Sequence, residues 1–274
     1  MNLGTFIRPL SWIFFFTLSL SIQSQNEAQW TTYVKALEKG PMTVLVDLNT
    51  QYRKAGYNYL VVVGTNTKKC LANGYPNFDG LEDLYEFSDA AATIIEKNTS
   101  NFLVGVLTYQ CSGFDAYYVK DTANLKSEMN ALFKAAYPTS KNYLLVEKDR
   151  QWNYYRNELF PNDKTEDFFT NNDLLNLMVN EGDDLTGKRM IRHFIHFKRE
   201  RNKDKFVKLM EEIDFTIDST AYHKEREYPF ELMISREDAI HPLAIEELTQ
   251  GLIKFASALY GYYDGWETEV IVKE

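Results

Sequence analysis

Two cysteines, four histidines, seven prolines and 13 glycines are few for a chain of 274 residues. So small a stock of metal-ligating side chains cannot build a zinc-finger array, and two thiols cannot staple a disulfide scaffold. Scarce glycine and proline, beside 45% hydrophobic and 15% aromatic residues, exclude collagen, low-complexity repeats and disorder. Positive charge is short as well: 30 Lys and Arg face 39 Asp and Glu, a formal charge of −9. A surface that tracks phosphates needs clustered cations, so direct nucleic-acid binding is not expected. The one basic run, 198–205 (KRERNKDK), contains two acids and reads as the solvated opening of a helix. A glycine-rich phosphate loop, a Gly-x-Ser-x-Gly elbow and a His-Glu-x-x-His helix are all missing. No cofactor, no metal and no catalytic set are expected.

Long apolar runs are absent beyond the first 25 residues. There Arg8 precedes 10–22 (LSWIFFFTLSLSI), thirteen residues that are too few to cross a hydrocarbon core of about 30 Å. A positive start, a short apolar centre and a small polar end (Gln23-Ser24-Gln25) read as a secretory signal over 1–24. The mature chain is therefore expected in the periplasm or outside the cell, with no membrane span. A cytoplasmic chain that keeps this segment is the alternative.

After residue 25 the hydrophobic period switches between about 2 and about 3.6 in a repeating order. Strand patterns at 43–49, 57–67, 102–111, 113–120 and 141–147 alternate with helical patterns at 80–97 and 122–136, and Ser112-Gly113 is read as a turn. An aromatic segment, 152–160, closes this part. A polar stretch follows at 161–187, read as a linker with a short helix. Strand, helix, strand, strand, helix and strand then recur at 190–197, 202–213, 214–222, 228–235, 242–260 and 262–271. The fold expected is α+β: two tandem ferredoxin-like (βαββαβ) sandwiches, over 25–160 and 188–274, the first with one extra N-terminal strand. Helices would cover one face of each sheet and leave the other for a partner or the sister domain.

Gly182-Asp183-Asp184-Leu185 leading into 189–197, with Tyr263-Asp264-Gly265-Trp266-Glu267 near the end, resembles the family of the regulator of ribonuclease E activity B. The earlier part resembles the domain of unknown function 695 family, through Trp30, Tyr33, the strands at 44–48, 60–63 and 104–108, and Trp152, Tyr155 and Pro161. The first resemblance implies a domain that binds an RNA-degrading endonuclease and inhibits it without chemistry of its own. It implies a protein-binding role, with the partner unidentified; ribonuclease E is cytoplasmic, and an exported chain would not meet it. A cytoplasmic ribonuclease E inhibitor is the alternative if 1–24 is not a signal.

The residues offer few rivals to binding. His193 and His196 fall on opposite faces of one strand and cannot chelate one ion. His193 shares a face with Ile191, Ile195 and Phe197 and reads as core; Arg192, Phe194 and His196 suit a partner surface. Asp163/Glu166/Asp167, Glu181/Asp183/Asp184, Glu211/Glu212 and Glu225/Glu227 could serve a hydrolase only if two faced one cleft, whereas linkers and helix surfaces make them solvated charge. Strict alternation sets Tyr262, Asp264 and Trp266 on one side of the last strand and Tyr263, Gly265 and Glu267 on the other. This group is the candidate contact set, although Trp266 could equally plug the core. Flanking cations that an RNA-stacking platform requires are lacking. Finally, the ferredoxin-like order brings Cys70 and Cys111 to the same end of the sheet, within disulfide reach across strands about 4.8 Å apart. Two free thiols are the alternative. The export reading predicts that N-terminal sequencing of the native protein starts near Gln25; intact Met1 in a soluble cytoplasmic fraction would sink it.

Overall fold

The computed structural model describes residues 28–50, 55–161, 163 and 165–272. The candidate signal segment lies outside these. The chain opens with a hairpin, β1 (Trp30–Leu37) and β2 (Gly40–Asp47), whose strands pair from Trp30↔Asp47 to Leu37↔Gly40. Gly40, at φ +124°, takes a turn conformation that L side chains rarely adopt. The βαββαβ unit follows: β3 (Tyr59–Asn66), α1 (Phe78–Asn98), β4 (Asn101–Tyr109), β5 (Ser112–Val119), α2 (Leu125–Ala136) and β6 (Tyr143–Lys148). These strands form one antiparallel sheet in the order β1-β2-β4-β5-β3-β6. The extra N-terminal element is thus a two-stranded hairpin rather than one strand. Its first half, WTTYVKAL, is too polar in its alternation to read as a buried strand.

Helix α1 starts where the Asn77 side chain accepts from the Gly80 N–H, and it buries Leu84, Phe87, Ala91 and Ile95 at helical spacing. With Met129 and Phe133 of α2, Phe87, Ala91 and Ile95 pack on Val61, Val63, Tyr117 and Val119. The opposite face of this sheet is not free. The 152–160 segment folds back over it through a π-helical turn, Tyr155–Leu159, and buries Trp152, Tyr155 and Leu159 completely. Trp152 stacks on Tyr118 with centroids 3.9 Å apart, and its indole N–H donates to Tyr57 O. Both faces of the first sheet are therefore covered, apart from one strip taken up below.

The turn joining β4 and β5 also differs from the reading at Ser112-Gly113. Tyr109 pairs with Ser112, so the two turn residues are Gln110 and Cys111, both at positive φ. A two-residue hairpin turn of this hand needs that conformation, although glycine and asparagine are its usual occupants. Surrounding contacts hold it: Cys111 N–H donates to Gly74 O, Thr67 N–H donates to Cys111 O, and Cys111 is joined to Cys70 in a disulfide with Cα atoms 5.9 Å apart.

The segment read as a polar linker is structural. It forms α3 (Glu166–Asn180), capped by the Thr165 side chain, and buries Leu175, Met178 and Val179. Their partners come from both domains: Val34 of β1 on one side, Ile191, Ile240, Ile245 and Trp266 on the other. The asparagines that make the segment look solvated are used inside. Asn172 Oδ1 accepts from Val34 N–H, while Asn171 bonds to Thr249 and Trp266.

A second unit continues with β7 (Lys188–Phe197), α4 (Glu200–Glu211), β8 (Thr216–Tyr222), β9 (Phe230–Ala239), α5 (Pro242–Ala258) and β10 (Gly261–Thr268). Its antiparallel order is β10-β7-β9-β8. The order β6-β3-β5-β4 in the first sheet is the same one, so both units are ferredoxin-like. Helices α4 and α5 cover one face with Phe206, Met210, Leu252 and Ala256. Among the described residues, no helix is long and apolar enough to cross a membrane.

Between α3 and β7, Asp183 and Arg189 form a buried ion pair, with side chains 0% and 5% exposed. The Asp183 carboxylate also accepts from the Leu185 and Ile271 N–H groups, and Arg189 donates to Glu269 O and Thr186 O. Removing one partner of such a pair strands the other charge, which costs about 3–5 kcal/mol. Arg189→Met is expected to lower the unfolding free energy by roughly that amount in urea titration. Arg192→Met, which breaks the exposed Arg192–Glu267 pair, should cost under about 1 kcal/mol.

Candidate binding surface

The second sheet has a face without a helix, and its residues follow from register. Across β10, β7 and β9, Tyr262 opposes His196 and Glu231, Gly265 opposes Phe194 and Met233, and Glu267 opposes Arg192 and Ser235. Cross-strand partners share a face, so Arg192, Phe194, His196, Tyr262 and Glu267 lie together. A β-bulge between Tyr263 and Gly265 accommodates Asp264, with Gly265 at φ +112°. The extra residue breaks strict alternation. Tyr263 and Trp266 consequently point the other way, towards the helices, and the expected grouping of Trp266 with Tyr262 and Asp264 is corrected. Trp266 is buried there, donating its indole N–H to Asn171 Oδ1 at 2.8 Å.

On the open face His196 is buried among its neighbours, with Nε2 3.2 Å from the exposed Asp264 Oδ2 and Nδ1 without a partner. Arg192 pairs with Glu267 at 3.3 Å, both half in solvent. Phe194 is half-buried, and Tyr262 and Met190 are about half exposed, at 53% and 52%. Beyond the residues singled out from sequence, the loop between β8 and β9 adds a charged aromatic corner. Tyr228 lies 6.0 Å from the Tyr262 ring, and Lys198 sits over Tyr228 while pairing with Glu227. Glu231 receives both His223 and Arg226 at 2.9 Å. Nothing in the local sequence marks this corner; it is assembled by the β8–β9 turn.

The helix-covered side holds a different polar group. His193 Nδ1 lies 2.8 Å from Tyr263 OH, Phe215 packs edge-on to the imidazole, and Arg236 and Asp238 stand nearby. Burial pushes the imidazole down to about 4, opposed by Asp238 and aided by Arg236. Burial likewise raises the Tyr263 phenol. Of the carboxylate clusters, Asp183 is not solvated but tied up in its ion pair. Among the described residues, no group of three His, Cys, Asp or Glu could hold a metal ion.

Residues 28–160 match the family of unknown function DUF695, and residues 170–268 match the family described as regulator of ribonuclease activity B. Each ferredoxin-like unit is thus similar to one of these families. The second match begins inside α3, which places that helix with the C-terminal unit. No curated protein matches the chain significantly. Of solved structures, a protein described as a glycine cleavage system transcriptional repressor aligns at 8% identity over 77% of this chain and 98% of its own, with TM-score 0.23. An unknown protein from Galdieria sulphuraria aligns at 12% identity over 78% and 99%, with TM-score 0.22.

His193 supplies a test of this packing. In the unfolded chain it protonates near pH 6.5, whereas the buried imidazole resists to about pH 4. The unfolded state then binds the extra proton between those values, so His193 costs stability progressively as pH falls from about 6.5 to 4 and costs nothing above. Urea midpoints should fall further between pH 7 and pH 4.5 in the native chain than in His193→Gln. Equal falls would contradict a neutral buried imidazole.

Proposed function

We propose that this chain is a non-enzymatic regulator that acts by binding a protein partner through the open face of its C-terminal sheet, outside the cytoplasm. The observation that carries the reading is the asymmetry of the two sheets. The first domain covers its second face with Trp152, Tyr155 and Leu159, while the second domain leaves Met190 and Tyr262 exposed and Phe194 half-buried among paired charges. Apolar anchors ringed by polar groups are the composition of a protein interface. The family described as regulator of ribonuclease activity B supports a regulatory role, with a ribonuclease as one class of partner. Export is supported by the Cys70–Cys111 disulfide, since such bonds persist in oxidising compartments.

The mature chain, immobilised against an extracytoplasmic extract, should retain a partner that the double variant Arg192→Glu/Tyr262→Ser loses by about tenfold or more. Retention unchanged by the variant would move the interface elsewhere. In a parallel RNA-cleavage assay the mature chain is expected to leave purified ribonuclease E uninhibited. Inhibition at sub-micromolar concentration would return the chain to a cytoplasmic role on that enzyme.

A further inference from the structure

The hairpin β1-β2 widens the first sheet beyond what α1 and α2 can cover. Helix α3 packs on β1, α1 packs on β3 and β5, and a strip above β2 and β4 stays open between them. A cavity of about 280 Å³ fills that strip. Register lays out its floor: Thr32, Leu45, Val106 and Asp115 are successive cross-strand partners, with Thr43 and Thr108 in the next row. Tyr85 and Ser88 of α1 form one wall, Asn176 and Asn180 of α3 the other.

We propose that this groove binds a small organic cation, a primary amine carrying a compact apolar body. Two buried acceptors face it from opposite sides. Asp115 is only 4% exposed and takes a hydrogen bond from Ser88 Oγ on Oδ2, while Asn176 Oδ1 on the facing wall is buried without a partner. Among the described residues, no Lys, Arg or His lines the cavity. An anion would therefore meet Asp115 with nothing to offset the repulsion. A neutral polyol could use the hydroxyls but would leave the carboxylate uncompensated. An ammonium group supplies both the missing charge and donors for Asp115 and Asn176. Burial lifts the Asp115 carboxyl to about 6, the mark of a carboxylate short of a counter-charge. Leu45, Val106 and Leu84 offer the apolar body a floor, and the exposed Tyr85 ring at the mouth suits a cation. The site lies between the first sheet, α1 and α3, and is separate from the open face of the second sheet.

Benzylamine titrated into the isotope-labelled mature chain, with amide shifts followed by NMR, tests this. Saturable shifts should cluster at Thr43, Leu45, Val106, Thr108 and Asp115. Benzylamine is expected to bind about tenfold more tightly than benzyl alcohol, and benzoate should not bind. Asp115→Asn should weaken the amine about tenfold while leaving the weak alcohol binding unchanged. If melting shows that this variant is unfolded, Asn176→Leu decides, with a loss of about threefold or more. Benzoate or benzyl alcohol binding as tightly as the amine, shifts centred elsewhere, or no saturation at about 10 mM would each overturn the proposal.

Discussion

The Asp183–Arg189 pair is where the separate parts of this chain are fastened. Asp183 follows α3 and Arg189 opens β7, so the pair fixes the angle between the shared helix and the second sheet. Glu269 and Ile271, just past β10, bond to the same two side chains and close the fourth strand of that sheet. The Asn73 side-chain amide reaches across from the first domain and donates to Val179 O and Asp183 O, at and just past the end of α3. Taking two charges out of water is expensive, and a buried pair of this kind returns little net stability. What it contributes is a junction, since the loop after α3, the start of β7 and the chain past β10 all meet at the same two side chains. Asn73 sits in the loop that Cys70 and its bridge to Pro76 shape, so the constraint runs from the disulfide to the ion pair without a break.

Helix α3 decides what each sheet can do next. By donating Val179 and Leu175 to a core shared with Val34, it ties the N-terminal hairpin to the second domain. The hairpin then lies beyond the reach of α1, and the groove between the two helices follows from that spacing. The Trp152–Leu159 segment seals the far face of the same sheet with rings that also bond to it, as Tyr155 OH does to Asp47 O. Among the described residues, no equivalent segment covers the second sheet. Two domains with the same strand order thus present different surfaces.

Most of this order was legible because periodicity reports burial directly. Leu84, Phe87, Ala91 and Ile95 are spaced as a helix must space them, and Val61 to Val63 form the unbroken apolar run of a strand covered on both faces. Composition misled where polar side chains work indoors. Asn171 and Asn172 look like linker residues, yet each is buried with its amide bonded, and only the tertiary partners reveal that. The hairpin strand β1 was hidden for the opposite reason: Trp30 and Leu37 are exposed, so its alternation carries no clean apolar face. Facing along β10 was lost to one bulge. A period of 2 is reliable only while the count holds, and Asp264 breaks the count between Tyr263 and Trp266.

That bulge also shapes how the open face could discriminate. Without it, Trp266 would stand beside Tyr262 and the face would be broadly apolar and adhesive. With it, the indole is withdrawn to the core and Asp264 is set against His196 instead. Apolar contact is left to Phe194, Met190 and Tyr262, while Arg192–Glu267 and His196–Asp264 already satisfy one another within the surface. Exposed pairs cost little to separate, so a partner that offers matching charges can replace them at almost no penalty. A partner that merely covers them leaves buried charges short of hydration and is penalised. On such a surface the aromatic and methionine side chains would set how tightly a partner is held, and the paired charges would set which partner it is.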